Sequence, residues 1–319
     1  MRRFDPLGRA PALAGVFVCA ALLAACATPP HTAALRAAPP PSLAASQRIG
    51  SVPFFAQDAY QCGPASLAMA LAASGVPVTP EELKSQVYLP AREGSLQPEM
   101  LAAARRHGRL AVVLPPRLDA LLAEIAAGTP VVVLQNLSLP IAPVWHYAVA
   151  IGYDLAREEI VLHSGVTADQ RLPLAVFERT WARSGHWAMV ATAPDRLPRT
   201  PGVDALVSAA AALERVDAAA ARRAYAALVE RAPMLYAAWM GLGNSAYALG
   251  DPLAAAQAFA RATQLQPQAA DAFNNLALAL LASRRIDEAR SAAERAVALG
   301  GTRIDRYRET LATIERAAP

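Results

Sequence analysis

Between Val203 and the C-terminal residues the chain repeats itself. Trp239, Leu242, Gly243, Ala255, Phe259, Ala262 and Pro267 fall over Phe273, Leu276, Ala277, Ala289, Ala293, Ala296 and Gly301 at a step of 34 residues. A degenerate earlier copy keeps Ala221, Tyr225 and Pro233 in the same register. A period of that length restricts the fold strongly, because one copy cannot bury its apolar positions alone and stacked copies can. Within a copy, small residues stand where two helices cross, large ones fill the gaps, and a proline or glycine ends the pair. A generic helical bundle is the alternative.

With Trp239-x-x-Leu242-Gly243 opening its best copy, the pattern resembles the tetratricopeptide repeat from about Val203 to Arg303, followed by a final helix to Ala317. That resemblance implies a concave face for a protein partner, or a support for the domain before it. Pro194, Pro198 and Pro201, with Arg196 and Arg199, mark the boundary. Residues 195–202 are read as linker and 203–319 as repeats with a terminal helix.

The 319 residues leave room for a second domain upstream, and 55% hydrophobic against 18% charged residues describes packed structure. A formal charge of +4, partly due to Arg2, Arg3 and Arg9, gives no case for nucleic-acid binding. Those arginines precede an apolar run, Ala14 to Leu23, that reads as a targeting signal too short to span a bilayer. Its end, Leu23-Ala24-Ala25-Cys26, resembles the lipobox of bacterial lipoproteins. The resemblance implies a signal peptide over 1–25 and lipidation of Cys26; an ordinary secretory cleavage is the alternative. With Ala27 after the lipidated position, the expected location is the outer membrane, facing the periplasm. Residues 26–50, rich in Ala, Pro and Ser, read as an extended tether able to reach some 70 Å at roughly 3 Å per residue.

The stretch 51–194 shows a mixed pattern. Val52 to Phe55 reads as an edge strand, and helices follow from Cys62 to about Ser74, from Thr79-Pro80, from Gln97 to His107 and from Arg117 to Ala127. Gly108 and Gly128 end the last two. Val131 to Leu134, Trp145 to Tyr153, Ile160 to Leu162 and Trp187 to Ala191 read as strands. Helices first and an antiparallel sheet second make an α+β domain.

Cys62 stands where a polar turn runs into the first of those helices, with Gly63-Pro64 in its opening turn. Unpaired N–H groups and the positive end of the helix dipole favour a thiolate there. Alone, such a cysteine is equally well a small buried apolar residue. The count decides otherwise: Cys19 leaves with the signal, Cys26 is lipid-capped, and Cys62 remains as the single mature thiol. In an exported chain with no disulfide partner, thiol chemistry explains it better. A base is then required. Among the histidines, His31 lies in the tether, His107 at a helix end, His163 at a strand end and His186 before the last strand, whereas His146 opens a well-patterned strand and, taken alone, is as readily a core or surface histidine as a base.

Gln57-x-x-x-x-Cys62-Gly63-Pro64-Ala65-Ser66-Leu67, followed by His146-Tyr147-Ala148-Val149-Ala150-Ile151-Gly152-Tyr153-Asp154, resembles the bacteriocin-processing (double-glycine leader) peptidases, papain-like cysteine peptidases, and especially their stand-alone members. The similarity spans about Val52 to Pro194. It implies a papain-like fold, Cys62 as nucleophile, His146 as general base and acid, and Gln57 assisting the Cys62 amide at the oxyanion, with Gln61 as substitute. The family's histidine is oriented by an aspartate after the next strand, where this chain reads Leu162-His163-Ser164-Gly165. Ser164 takes that position, His163 is the alternative, and Asp154 and Asp169 lie in flanking turns. A neutral orienting group stabilises imidazolium less.

What the resemblance implies is hydrolysis of a peptide bond, at a double-glycine site, by thiolate attack without a cofactor. A degenerate binding module that scaffolds an envelope complex is the rival reading, kept alive by the absent carboxylate. Acyl transfer to another acceptor would use the same residues. A metal site is not expected, since no close-spaced second Cys/His pair exists.

Overall fold

The computed structural model describes residues 28–57 and 61–317. The signal segment and Cys26 lie outside the described residues, and among those described no helix is long and apolar enough to cross a membrane.

The first described element is helix α1, Pro30–Ala37, followed by strand β1, Ser46–Arg48. Both fall in the stretch read above as a tether, and that reading is corrected here. Leu35 and Ile49 are buried and join the main core, while β1 pairs antiparallel with a longer strand, Ser46 opposite Asp154 and Arg48 opposite Gly152. Gly152 is required by this approach, since a Cβ there would come within 2.8 Å of the Gln47 carbonyl oxygen. The Ala/Pro/Ser composition concealed an eight-residue helix with Pro30 as its first residue.

Helices α2 (Cys62–Ala73), α3 (Pro80–Val87) and α4 (Gln97–Arg106) come next, with β2 (Leu110–Val113), α5 (Leu118–Ala126), β3 (Val131–Asn136) and β4 (Trp145–Asp154) after them. Then follow β5 (Glu159–Ser164), β6 (Thr167–Pro173), α6 (Leu174–Ala182) and β7 (Ala188–Thr192). Thr79 and Glu82 close a reciprocal capping box at the start of α3. The expected strand over Val52 to Phe55 is absent: the segment is irregular, Pro53 has no N–H to give a ladder, and β1 takes the sheet edge instead. Strands β2 and β6 and helix α6 lacked a legible period.

The sheet runs β2-β7-β3-β4-β5-β6, with β1 on the part of β4 that β3 leaves free. All its pairings are antiparallel. Every residue of β3 is buried, as expected for a strand covered on both faces. The domain is α+β, as expected.

Among the described residues seven helices follow: α7 (Val203–Glu214), α8 (Ala218–Arg231), α9 (Tyr236–Ala248), α10 (Pro252–Leu265), α11 (Ala270–Ala282), α12 (Ile286–Leu299) and α13 (Ile304–Ala317). Helix starts at 236, 270 and 304, and at 218, 252 and 286, reproduce the 34-residue step. Ala255, Ala262, Ala277, Ala289, Ala293 and Ala296 are wholly buried at the helix crossings. Asp217 and Asp251, one repeat apart, each accept a backbone N–H at a helix start.

The boundary region is fastened rather than loose. Thr200 donates its N–H and hydroxyl to the buried Glu124 carboxylate at 2.6 and 2.8 Å, and Arg231 donates to the Pro198 carbonyl at 2.6 Å. Helix α7 packs on β2 and α4. Leu206, Leu213, Tyr225 and Leu228 belong to the same apolar cluster as the sheet, while Phe259, Leu280 and Ile314 form a second one.

Candidate active site

Cys62 is the first residue of α2, after Gln61 as N-cap. Gly63 lets the 94–97 segment lie across this end, because a Cβ there would run into the Ser95 side chain. From Ala65 to Leu71 the helix is wholly buried, so Cys62 stands at the end of a helix anchored in the core. His146 is the second residue of β4 and pairs with Gln135 of β3. Both side chains line one cleft of about 960 Å³, together with Gln57, Ser95, Trp145, Tyr147, Gly165 and Arg183.

Behind the imidazole, His146 Nε2 lies 2.9 Å from Ser164 Oγ at the end of β5. That leaves Nδ1 for the cleft. His163, the alternative, is spent elsewhere: its Nδ1 accepts the Asp169 N–H at 3.2 Å, and its Nε2 faces the Val52 carbonyl at 3.3 Å. Asp169 pairs with Arg48 at 2.5 Å, and Asp154 accepts the Arg157 N–H at 3.0 Å. Neither aspartate hydrogen-bonds His146.

Gln57 is buried and braced at both ends. Its Oε1 accepts the Gly165 N–H at 3.2 Å, its backbone N–H donates to the Gly165 carbonyl at 3.0 Å, and its Nε2 donates to Ser66 Oγ at 3.3 Å and the Tyr147 carbonyl at 3.5 Å. The side chain thus ties the start of the helix to the turn after Ser164. Service as an oxyanion donor would require Nε2 to exchange one of these partners. Gln61 does not line the cleft.

The electrostatics differ from the expectation for a bare helix end. Burial pushes the Cys62 thiol above its ordinary value, against the opposing pull of the Tyr147, Gly63 and Cys62 backbone amides. Burial likewise holds the His146 imidazole below its ordinary value. Both shifts favour a neutral thiol and a neutral imidazole at rest.

Several cleft residues escaped sequence reasoning. Tyr147 donates its hydroxyl to the Ser95 carbonyl at 3.2 Å, and Arg183 donates to the Asn136 and Ser138 carbonyls at 3.1 and 2.7 Å. The loop beside them carries exposed Leu137, Leu139, Ile141, Val144 and Trp145, with Ile141 91% exposed. Nothing in the loop sequence announced a cleft rim.

Residues 49–189 match the Peptidase_C39 like family, and residues 206–270 and 241–304 match the tetratricopeptide repeat. Among solved structures, a putative C39-like peptidase from Bacillus anthracis is 21% identical, with 49% of this chain and 99% of that one covered and a TM-score of 0.39. The Sgt2 TPR domain from Aspergillus fumigatus is 26% identical over 37% of this chain and 80% of that one, with a TM-score of 0.34. The translocator chaperone SycD of Yersinia enterocolitica is 19% identical over 36% and 84%, with a TM-score of 0.34. No curated protein matches the chain. Residues 49–189 are thus a Peptidase_C39-like domain, and tetratricopeptide repeats follow it over residues 206–304.

Proposed function

We propose that this chain is a cysteine peptidase of the cell envelope, held by lipid at Cys26, whose repeats recruit a protein partner. The observation that carries the reading is the sharing of one cleft by Cys62 and His146, with Ser164 Oγ 2.9 Å behind the imidazole. The Cys62 proton passes to His146 Nδ1 and the sulfur attacks the scissile carbonyl carbon. The oxyanion takes the Cys62 N–H and, after exchange, Gln57 Nε2. His146 then returns the proton to the leaving amine, and water hydrolyses the thioester. The apolar rim from Leu137 to Trp145 suits a peptide with large apolar side chains beside the bond, and the family resemblance suggests a double-glycine bond.

A second reading, a peptide-binding module without turnover, is favoured by the missing carboxylate and by the neutral resting pair. One experiment separates them. The full chain is treated with a peptide ending in Gly-Gly and an electrophilic carbonyl, and adducts are mapped by mass spectrometry. A peptidase gives an adduct on Cys62 that His146→Ala abolishes. No adduct, or one indifferent to His146→Ala, leaves the binding module.

A further inference from the structure

Away from the cleft, three residues far apart in sequence meet where α1 begins. The wholly buried Glu178 of α6 caps this helix: Oε1 accepts the His31 N–H at 2.8 Å, and Oε2 accepts the Thr32 N–H and hydroxyl at 2.6 Å each. The His31 ring lies against that of His186, centroids 4.6 Å apart. One ligand atom from each of His31, Glu178 and His186 lies within 4.8 Å of the others, and His31 Nδ1 is 3.8 Å from Glu178 Oε1.

What singles the group out is what its histidines lack. His31 Nδ1 and His186 Nε2 are shielded from solvent and have no hydrogen-bond partner. Elsewhere His107, His146 and His163 each find a polar neighbour for a ring nitrogen. A buried polar atom left unpaired is costly, and both of these belong to histidines that stand within 4.8 Å of one carboxylate. That carboxylate has three donors for about four lone-pair sites, so it retains capacity.

We infer that His31 Nδ1, His186 Nε2 and Glu178 Oε1 bind a divalent transition metal of the zinc class, fastening α1 to the Peptidase_C39-like domain. Two imidazoles and one carboxylate suit zinc or cobalt, whereas calcium takes about 6–8 oxygens. Zinc bonds of about 2.0–2.2 Å require the donors to close by roughly 1 Å, within the reach of ring rotation. No sequence spacing could reveal the set, since His31 and Glu178 stand 147 residues apart. The inference is independent of the reading of the cleft, and none of the three residues lines it.

The test uses the full chain, stripped with chelator, carrying Cys19→Ala, Cys26→Ala and Cys62→Ala so that no thiol competes. Cobalt is titrated and followed by its visible absorption; zinc is added in a parallel thermal melt. The expected result is one equivalent of cobalt with no thiolate charge-transfer band, and a zinc-dependent rise in Tm. His31→Gln and His186→Asn should each weaken binding by about tenfold or more. Asparagine is chosen because His186 has φ 58°, which asparagine tolerates; the metal-free Tm of each variant shows that it folds. Absence of stoichiometric cobalt binding in the parent overturns the inference whatever the variants do, and so does binding unchanged in both folded variants.

Discussion

His146 Nε2 lies 2.9 Å from Ser164 Oγ, and no carboxylate among the described residues hydrogen-bonds the ring. A neutral pair of this kind is worth about 1 kcal/mol, against roughly twice that for a charge-assisted one. Ser164→Ala should therefore lower kcat/KM by only about fivefold, and Ser164→Asp should raise the His146 pKa and move the acid limb of the profile to higher pH, since His146 must be neutral to take the thiol proton. A pH–rate profile for each variant measures both. A Ser164→Ala loss above a thousandfold would show that the hydroxyl does more than orient the ring.

The Cys62 thiol is held above its ordinary value of 9.0 by burial, so its folded form keeps a proton where an unfolded chain would lose it. The corresponding stability is complete below pH 9 and is lost as pH rises through the folded value. Alkylation by iodoacetamide should be slow at neutral pH and should rise with an inflection above 9, while Cys62→Ser should flatten the alkaline loss of Tm. Fast alkylation at pH 7 would contradict the neutral resting pair.

Gln57 bridges the start of α2 and the Gly165 turn. Gln57→Ala strands buried partners and should cost about 1–3 kcal/mol of stability along with activity. A pure oxyanion donor would lose kcat with Tm unchanged. Thermal melts beside kinetics distinguish a brace from a donor.

Leu213 of α7 belongs to the same apolar cluster as the sheet, whereas Ile314 lies in the second cluster. Leu213→Ala should cost about 2–5 kcal/mol and lower the unfolding temperature of the Peptidase_C39-like domain as well as of the first repeat. Ile314→Ala should speed amide exchange only in the terminal helices. Hydrogen exchange read by mass spectrometry reports each region separately.

Replacement of Cys26 by serine should release the chain from membranes into the soluble fraction, read by fractionation and blotting. Retention on the membrane would reject the lipid anchor.

What could be read from the residues alone followed the strength of local signals. The repeat was legible because its alanines and glycines must recur wherever helices cross, and α2 to α5 because Gly63-Pro64, Thr79 with Glu82, Gly108 and Gly128 mark their ends. Cys62 and His146 were legible as types at a spacing, and Ser164 only through its place at the end of β5. Helix α1 and strand β1 were not, because they are stabilised by distant partners: Glu178 for the helix, Gly152 for the strand. The brace at Gln57 was hidden likewise, since hydrogen bonds spanning 90 and 108 residues leave no mark on a local pattern.

If the chain is the lipid-anchored peptidase proposed above, the docking of α1 changes its mechanics. A lipid at Cys26 would stand four residues before Pro30, no more than about 14 Å of extended chain. A body on a leash of roughly 70 Å sweeps a deep volume above the bilayer; one moored this closely would stay within a thin layer at its surface. Its search for substrate would then become nearly planar, and a polypeptide emerging at that surface would meet the cleft sooner than one diffusing freely beyond it.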